Sequence, residues 1–157
     1  MSDRPYFPLF VDLSGRDILF VGGGAIAARR IRGLLPFVAR LSVVTKQISP
    51  ELQGLLEEAR DQICLEERSF RRSDLEGRDL VLAATDDKDL NREIAALCKE
   101  RSIPVNVSSD KALCDFYFPG IVRQGETVIG VNASGQDHRK ARRVRERVEA
   151  ILLEEDL

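Results

Sequence analysis

The 157 residues carry a net charge of −2, with 43% hydrophobic and 32% charged residues, a balance that builds an ordinary core and argues against disorder. No global field draws such a chain to nucleic acid or membrane, and no apolar run approaches the roughly 20 residues needed to span a bilayer. The opening MSDRPYFPLF lacks the pattern of a secretory signal, so a cytoplasmic place is expected; Cys64, Cys98 and Cys114 are odd in number and far apart, and with His138 the lone histidine neither a disulfide framework nor a metal site is expected.

Tyr6–Val11 and Asp17–Val21 read as short strands joined around Ser14-Gly15. Gly22-Gly23-Gly24 follows, then a helix over about 25–35 with Ala27, Ala28, Ile31, Leu34 and Leu35 on one face and Arg29, Arg30 and Arg32 elsewhere. Pro36 ends it. Leu41–Thr45 is the next strand, and Ser49-Pro50 starts a helix that runs to about Arg60. Ile63–Glu66 is a short strand, and the continuous apolar run Asp79–Ala84 predicts a buried parallel strand. Thr85 or Asp87 caps a helix through Arg101 with Leu90, Ile94, Leu97 and Cys98 inward, and Ile103–Val107 closes the alternation. Strands alternating with helices predict an α/β, Rossmann-type doubly wound parallel sheet over residues 1–110. After Asp110 the pattern changes to a β-hairpin, Phe116–Val122 with Thr127–Val131, and a charged helix over about 137–154. This segment, 111–157, is too short for a core of its own, so its apolar face is expected to pack on the sheet or on a second subunit.

The chemistry-bearing stretches fall at strand ends. Gly22-Gly23-Gly24-Ala25-Ile26-Ala27 fits G-x-G-x-x-A between a strand and a helix. Gly22 permits the turn, Gly24 admits a pyrophosphate, and Ala27 allows close packing; another nucleotide-like ligand or a purely structural turn are the alternatives. The second strand ends Thr45-Lys46-Gln47, without the carboxylate that would hold an adenosine ribose. NAD over NADP therefore cannot be chosen here, and Lys46 is either a 2′-phosphate contact or a solvated lysine. Thr85 is placed to touch a cofactor, to cap a helix, or both. Asn106 and Ser108-Ser109-Asp110 form a polar cluster at the same edge, or a plain turn. The last helix is basic in its first half, from Arg139 to Arg147, and acidic later, against the helix dipole. Either an anion compensates or the face is solvated, with Arg142–Glu146 and Arg145–Glu149 pairs. Nucleic acid is disfavoured because no aromatic residues interleave the basic ones.

Taken in order, Tyr6-Phe7-Pro8-Leu9-Phe10, the glycine turn with Arg29-Arg30, and Ala83-Ala84-Thr85-Asp86 set a pattern. Asn91, Val105-Asn106-Val107, Cys114-Asp115-Phe116 with Pro119, and Ser134-Gly135 before Ala141-Arg142-Arg143-Val144-Arg145-Glu146 continue it. Over nearly the whole chain this set resembles the precorrin-2 dehydrogenases, which also form the N-terminal part of bifunctional siroheme synthases. The resemblance implies NAD-dependent oxidation of precorrin-2, a tetrapyrrole, to sirohydrochlorin, in a homodimer joined through the post-Rossmann segment. Some members also insert ferrous iron, and members commonly continue into a further helical domain. Cofactor contacts are then expected at Gly22, Gly24, Ala25, Ile26, Lys46, Gln47 and Thr85. Asn106, Arg139 and Arg142 are expected to meet the polycarboxylate substrate. Members often carry an aspartate three residues after the asparagine matching Asn106; here that position is Ser109, and the carboxylate falls at Asp110, the candidate general base. The rival expectation is a binding module that holds dinucleotide or tetrapyrrole without turnover. A methyltransferase-like nucleotide site is a weaker third.

Overall fold

The computed structural model describes residues 5–133 and 137–154. The Ser134-Gly135 motif and Glu155 lie outside the described residues. The chain divides into two compact units, Val11–Phe116 and Met1–Phe10 with Tyr117–Leu157.

The first unit is a parallel five-stranded sheet. Strands β1 (Ile18–Val21), β2 (Leu41–Thr45), β3 (Ile63–Glu67), β4 (Leu80–Ala83) and β5 (Val105–Val107) lie in the order β3-β2-β1-β4-β5. Helices α1 (Ala25–Leu34), α2 (Pro50–Glu58) and α3 (Lys88–Glu100) make the crossovers. This is the doubly wound arrangement the sequence predicts. β1 sits at its centre, with Phe20 beside Val43 of β2 and Leu82 of β4, and all four of its residues are buried.

Alternation along the strands sends side chains to two layers. Leu19, Val21, Val81, Ala83, Val105 and Val107 pack with Ile94, Ala95, Leu97 and Cys98 of α3. α1 brings Ala27, Ala28, Ile31 and Leu34, and α2 brings Leu52 and Leu55, to the other side. Phe20 is fully buried, and its truncation to alanine would cost about 3–5 kcal/mol. Local signals set the helix starts. The Ser49 hydroxyl accepts from Leu52 N with Pro50 at the first helical position, and the Asp87 carboxylate accepts from Asp89 N and Leu90 N.

The outer edge of β5 is covered by its own chain. Asp115 Oδ2 accepts from Val105 N at 2.9 Å, Asp115 N donates to Val105 O at 2.9 Å, and Cys114 Sγ accepts from Val107 N at 3.1 Å. The ladder groups β5 would offer an adjoining strand are thus already satisfied.

In the second unit β6 (Gly120–Gln124) and β7 (Thr127–Val131) form an antiparallel hairpin, and α4 (His138–Glu154) packs on it. The expected strand over Tyr6–Val11 is not there. Pro8 removes a ladder donor, and β1 already has both neighbours. This stretch is irregular, with Phe7 87% and Leu9 75% exposed, while the Tyr6 ring packs at a tilt of 57° against Tyr117, with ring centroids 4.4 Å apart. Among the described residues no helix is long and apolar enough to cross a membrane.

Candidate functional site

In a doubly wound sheet the crevice opens where successive crossovers leave in opposite directions, at the C-terminal ends of the strands. Here that point lies between β1 and β4. The three glycines after β1 meet different constraints. Gly22 has φ +116°, and a Cβ there would stand 2.3 Å from Ala84 O. Gly23, which a G-x-G pattern leaves unspecified, would place a Cβ 2.5 Å from Gln47 O and 2.7 Å from Thr45 Oγ1. Gly24 would place one in open space, with nothing within 4 Å. The protein itself requires the first two glycines. Nothing among the described residues excludes a side chain at the third.

Gly24 is the N-cap of α1, with extended backbone (φ −79°, ψ −176°), no side-chain cap, and no acid in the helix's first turn. The first helical bond runs from Ala28 N to Gly24 O, so the N–H groups of Ala25, Ile26 and Ala27 precede it. Bare N–H groups, the positive end of the helix dipole and an open approach at Gly24 form a cradle for a pyrophosphate. These residues fit a nicotinamide dinucleotide.

The end of β2 is folded against this turn. Thr45 is buried, its hydroxyl donates to Gln47 O at 2.8 Å, and Ser49 N donates to Gly23 O at 3.0 Å. Lys46 and Gln47 are exposed beside the glycines, and no carboxylate stands at this strand end.

Across the crevice a buried amide joins two strand ends. Asn91 on α3 is 0% exposed. Its Oδ1 accepts from Thr85 N at 3.2 Å and from Thr85 Oγ1 at 2.7 Å. Its Nδ2 donates to Thr85 O at 3.0 Å and to Ser109 Oγ at 3.1 Å. Thr85 and Ser109, named from sequence, are thereby brought together by a residue that sequence reasoning gave no role. Its signal was a polar side chain one turn before Ile94 and Ala95, on the face α3 buries.

Asn106 is 3% exposed. Its Oδ1 accepts from Arg30 at 2.6 Å and its Nδ2 donates to Phe116 O at 2.8 Å. Arg30, read from sequence as off the apolar face, is half-buried; desolvation lowers its pKa from the ordinary value, against a raising influence of the Cys114 sulfur. Asp110 follows β5, and its Oδ1 accepts from Ala112 N at 3.0 Å, capping the short turn Lys111–Leu113. Burial raises the Cys114 thiol above its usual range.

Arg139 and Arg142 belong to the other unit, on α4. Arg139 is exposed. Arg142 pairs with Glu146 at 2.8 Å and Arg145 with Glu149 at 2.8 Å, the solvated-face pairs the sequence offers as one alternative. Asp137 accepts from Lys140 N and supplies a negative charge at the start of that helix.

Residues 9–120 match the family model NAD_binding_7, described as NAD(P)-binding. The chain belongs to this family. It is also 41% identical over 147 residues to the siroheme synthase of Thioalkalivibrio sulfidiphilus, covering 94% of this chain and 30% of that protein. Identity is 43% over 144 residues to the siroheme synthase of Ectopseudomonas mendocina, covering 92% of this chain and 30% of that protein. The chain thus spans about 30% of the length of the curated relatives it matches. Among solved structures, SirC, a precorrin-2 dehydrogenase, superposes with a TM-score of 0.76 at 26% identity, covering 93% of this chain and 71% of that one. A nicotinamide cofactor follows from the family and from the cradle at Gly24 alike.

Proposed function

We propose that this chain oxidises precorrin-2 to sirohydrochlorin with NAD as the oxidant, releasing NADH and a proton. The observation that carries the reading is the open face of Gly24 at the uncapped start of α1, in a chain similar to siroheme synthases and to SirC. When bound, the cofactor supplies the hydride acceptor. The chain's own residues do the rest. Gly22, Gly24, Ala25 and Ile26 hold the pyrophosphate, and Lys46, Gln47 and Thr85 border the bound dinucleotide. Arg139 and Arg142 bind substrate carboxylates, and Asn106 contributes by holding Arg30 in place. Asp110 takes the proton, with Ser109 beside it. Segment 111–157 joins two copies in a homodimer.

A second reading, binding without turnover, is favoured by Asp110 serving as a cap. Anaerobic incubation with precorrin-2 and NAD, followed at the NADH absorbance, separates the two, and later addition of Fe²⁺ reads chelation. Asp110→Asn keeps an oxygen for Ala112 N yet cannot take a proton. It is expected to slow NADH formation about a hundredfold. Turnover at the wild-type rate removes Asp110 as the base. No NADH from the wild type at all favours the binding module.

A further inference from the structure

The Asn91 amide has all its hydrogen-bonding capacity engaged, and this fixes the orientation of a neighbouring hydroxyl. Thr85 N–H can only donate, so the group facing it at 3.2 Å must be the amide oxygen. Thr85 O can only accept, so the group facing it at 3.0 Å must be the amide nitrogen. The amide cannot be turned over without opposing donor to donor and acceptor to acceptor. Its second N–H therefore points to Ser109 Oγ at 3.1 Å, and that oxygen accepts. An oxygen that accepts from a fixed donor keeps its own proton for a different partner. Ser109 is exposed, at the C-terminal edge of β5, whereas Asn91 beneath it is fully buried.

We infer that Ser109 is an oriented hydrogen-bond donor, held by Asn91, that recognises an acceptor oxygen of the bound ligand. This rests on the dehydrogenase reading and assigns Ser109 a polarity opposite to that of a proton-accepting carboxylate. Two ligands bring such an oxygen to this edge: the carboxamide of the nicotinamide and a carboxylate of the tetrapyrrole. Asn91 acts through Ser109 and is a positioning residue.

The test is a set of variants at an exposed site, read by two dissociation constants that need no turnover. These are NAD by calorimetry and sirohydrochlorin by anaerobic absorbance titration. Ser109→Ala should weaken one of the two five- to tenfold, the scale of one hydrogen bond to a ligand. Ser109→Thr keeps the hydroxyl and should stay within twofold of wild type. Ser109→Asp accepts from Asn91 but has no proton to give, so its loss should equal or exceed that of Ser109→Ala. Asn91→Asp turns the buried partner into an acceptor toward Ser109 and Thr85 O alike; it should weaken the same ligand at least as much as Ser109→Ala does, and adding Ser109→Ala to it should cost that ligand nothing further, whereas general loosening would leave the two losses additive. Loss confined to NAD identifies the carboxamide, and loss confined to sirohydrochlorin the carboxylate. Both constants unchanged in Ser109→Ala, or tighter binding in Ser109→Asp, overturns the donor assignment. Wild-type turnover is scored separately, so failure of the dehydrogenase reading leaves these two constants interpretable.

Discussion

Gly24→Asp is expected to strengthen the fold and weaken the cofactor together. A side chain there meets nothing within 4 Å, and the backbone, φ −79° and ψ −176°, suits any residue. α1 has no side-chain cap and no acid in its first turn, so the new carboxylate takes up free N–H groups. The gain over glycine as a cap is a few tenths of a kcal/mol. The helix dipole adds about 0.3–1 kcal/mol, and the loss of glycine's unfolded-state freedom about 0.4–1 kcal/mol. The sum, about 1–2 kcal/mol, raises Tm by several degrees at roughly 2–4 °C per kcal/mol for a chain of this size. The same carboxylate occupies the N–H groups a pyrophosphate needs and repels its charge. NAD affinity should fall at least tenfold, about 1.4 kcal/mol. Scanning calorimetry reads the first effect and titration calorimetry the second. An unchanged dissociation constant refutes the cradle. A lowered Tm refutes the claim that the chain itself leaves room for a side chain here.

Gly23→Ala should do the reverse: its Cβ would stand 2.5 Å from Gln47 O, so the fold loses about 2–4 kcal/mol in urea unfolding, from overpacking and a displaced backbone. Asp74 gives a pH signature. Burial raises its pKa, but the Arg68 guanidinium, at 2.7 Å, and the Arg71 N–H outweigh this and hold it below its ordinary value. A carboxyl with a depressed folded pKa stabilises the fold above its unfolded pKa, about 3.9, and that contribution disappears as pH falls through the folded value. Asp74→Asn should therefore lower the urea midpoint at pH 7, and the gap to wild type should close in acid; a gap independent of pH contradicts the pairing.

The sheet is legible in the sequence because all its strands except the edge strand β3 are buried on both faces. ILFV, LSVVT and VLA are apolar runs with no competing period, and Ser49-Pro50 marks a helix start by local chemistry alone. What is not legible depends on distant partners. Apolar residues between Tyr6 and Val11 resemble a strand, yet no sheet edge is free beside β1 to receive them. Gly23 is essential because Gln47 and Thr45 return to it from β2, which a glycine pattern cannot register. Arg30 and Asn106 are 76 positions apart, and Asn91 and Ser109 are 18 apart. Each side chain taken alone looks like a surface group; only the crossovers reveal that they satisfy one another.

The covered edge of β5 also carries a kinetic consequence. While the chain folds, an uncovered edge strand is a template on which another copy can pair and aggregate. The groups that close it here are local, since Asp115 reaches Val105 from ten positions away and Cys114 reaches Val107 from seven. Loops of that size close in about 10–100 ns, far faster than two molecules meet at cellular concentrations. β5 therefore has little time as an open template once it forms. Replacing Asp115 would lengthen that exposure, and its cost would appear as aggregation during refolding before it appeared in the stability of the finished protein.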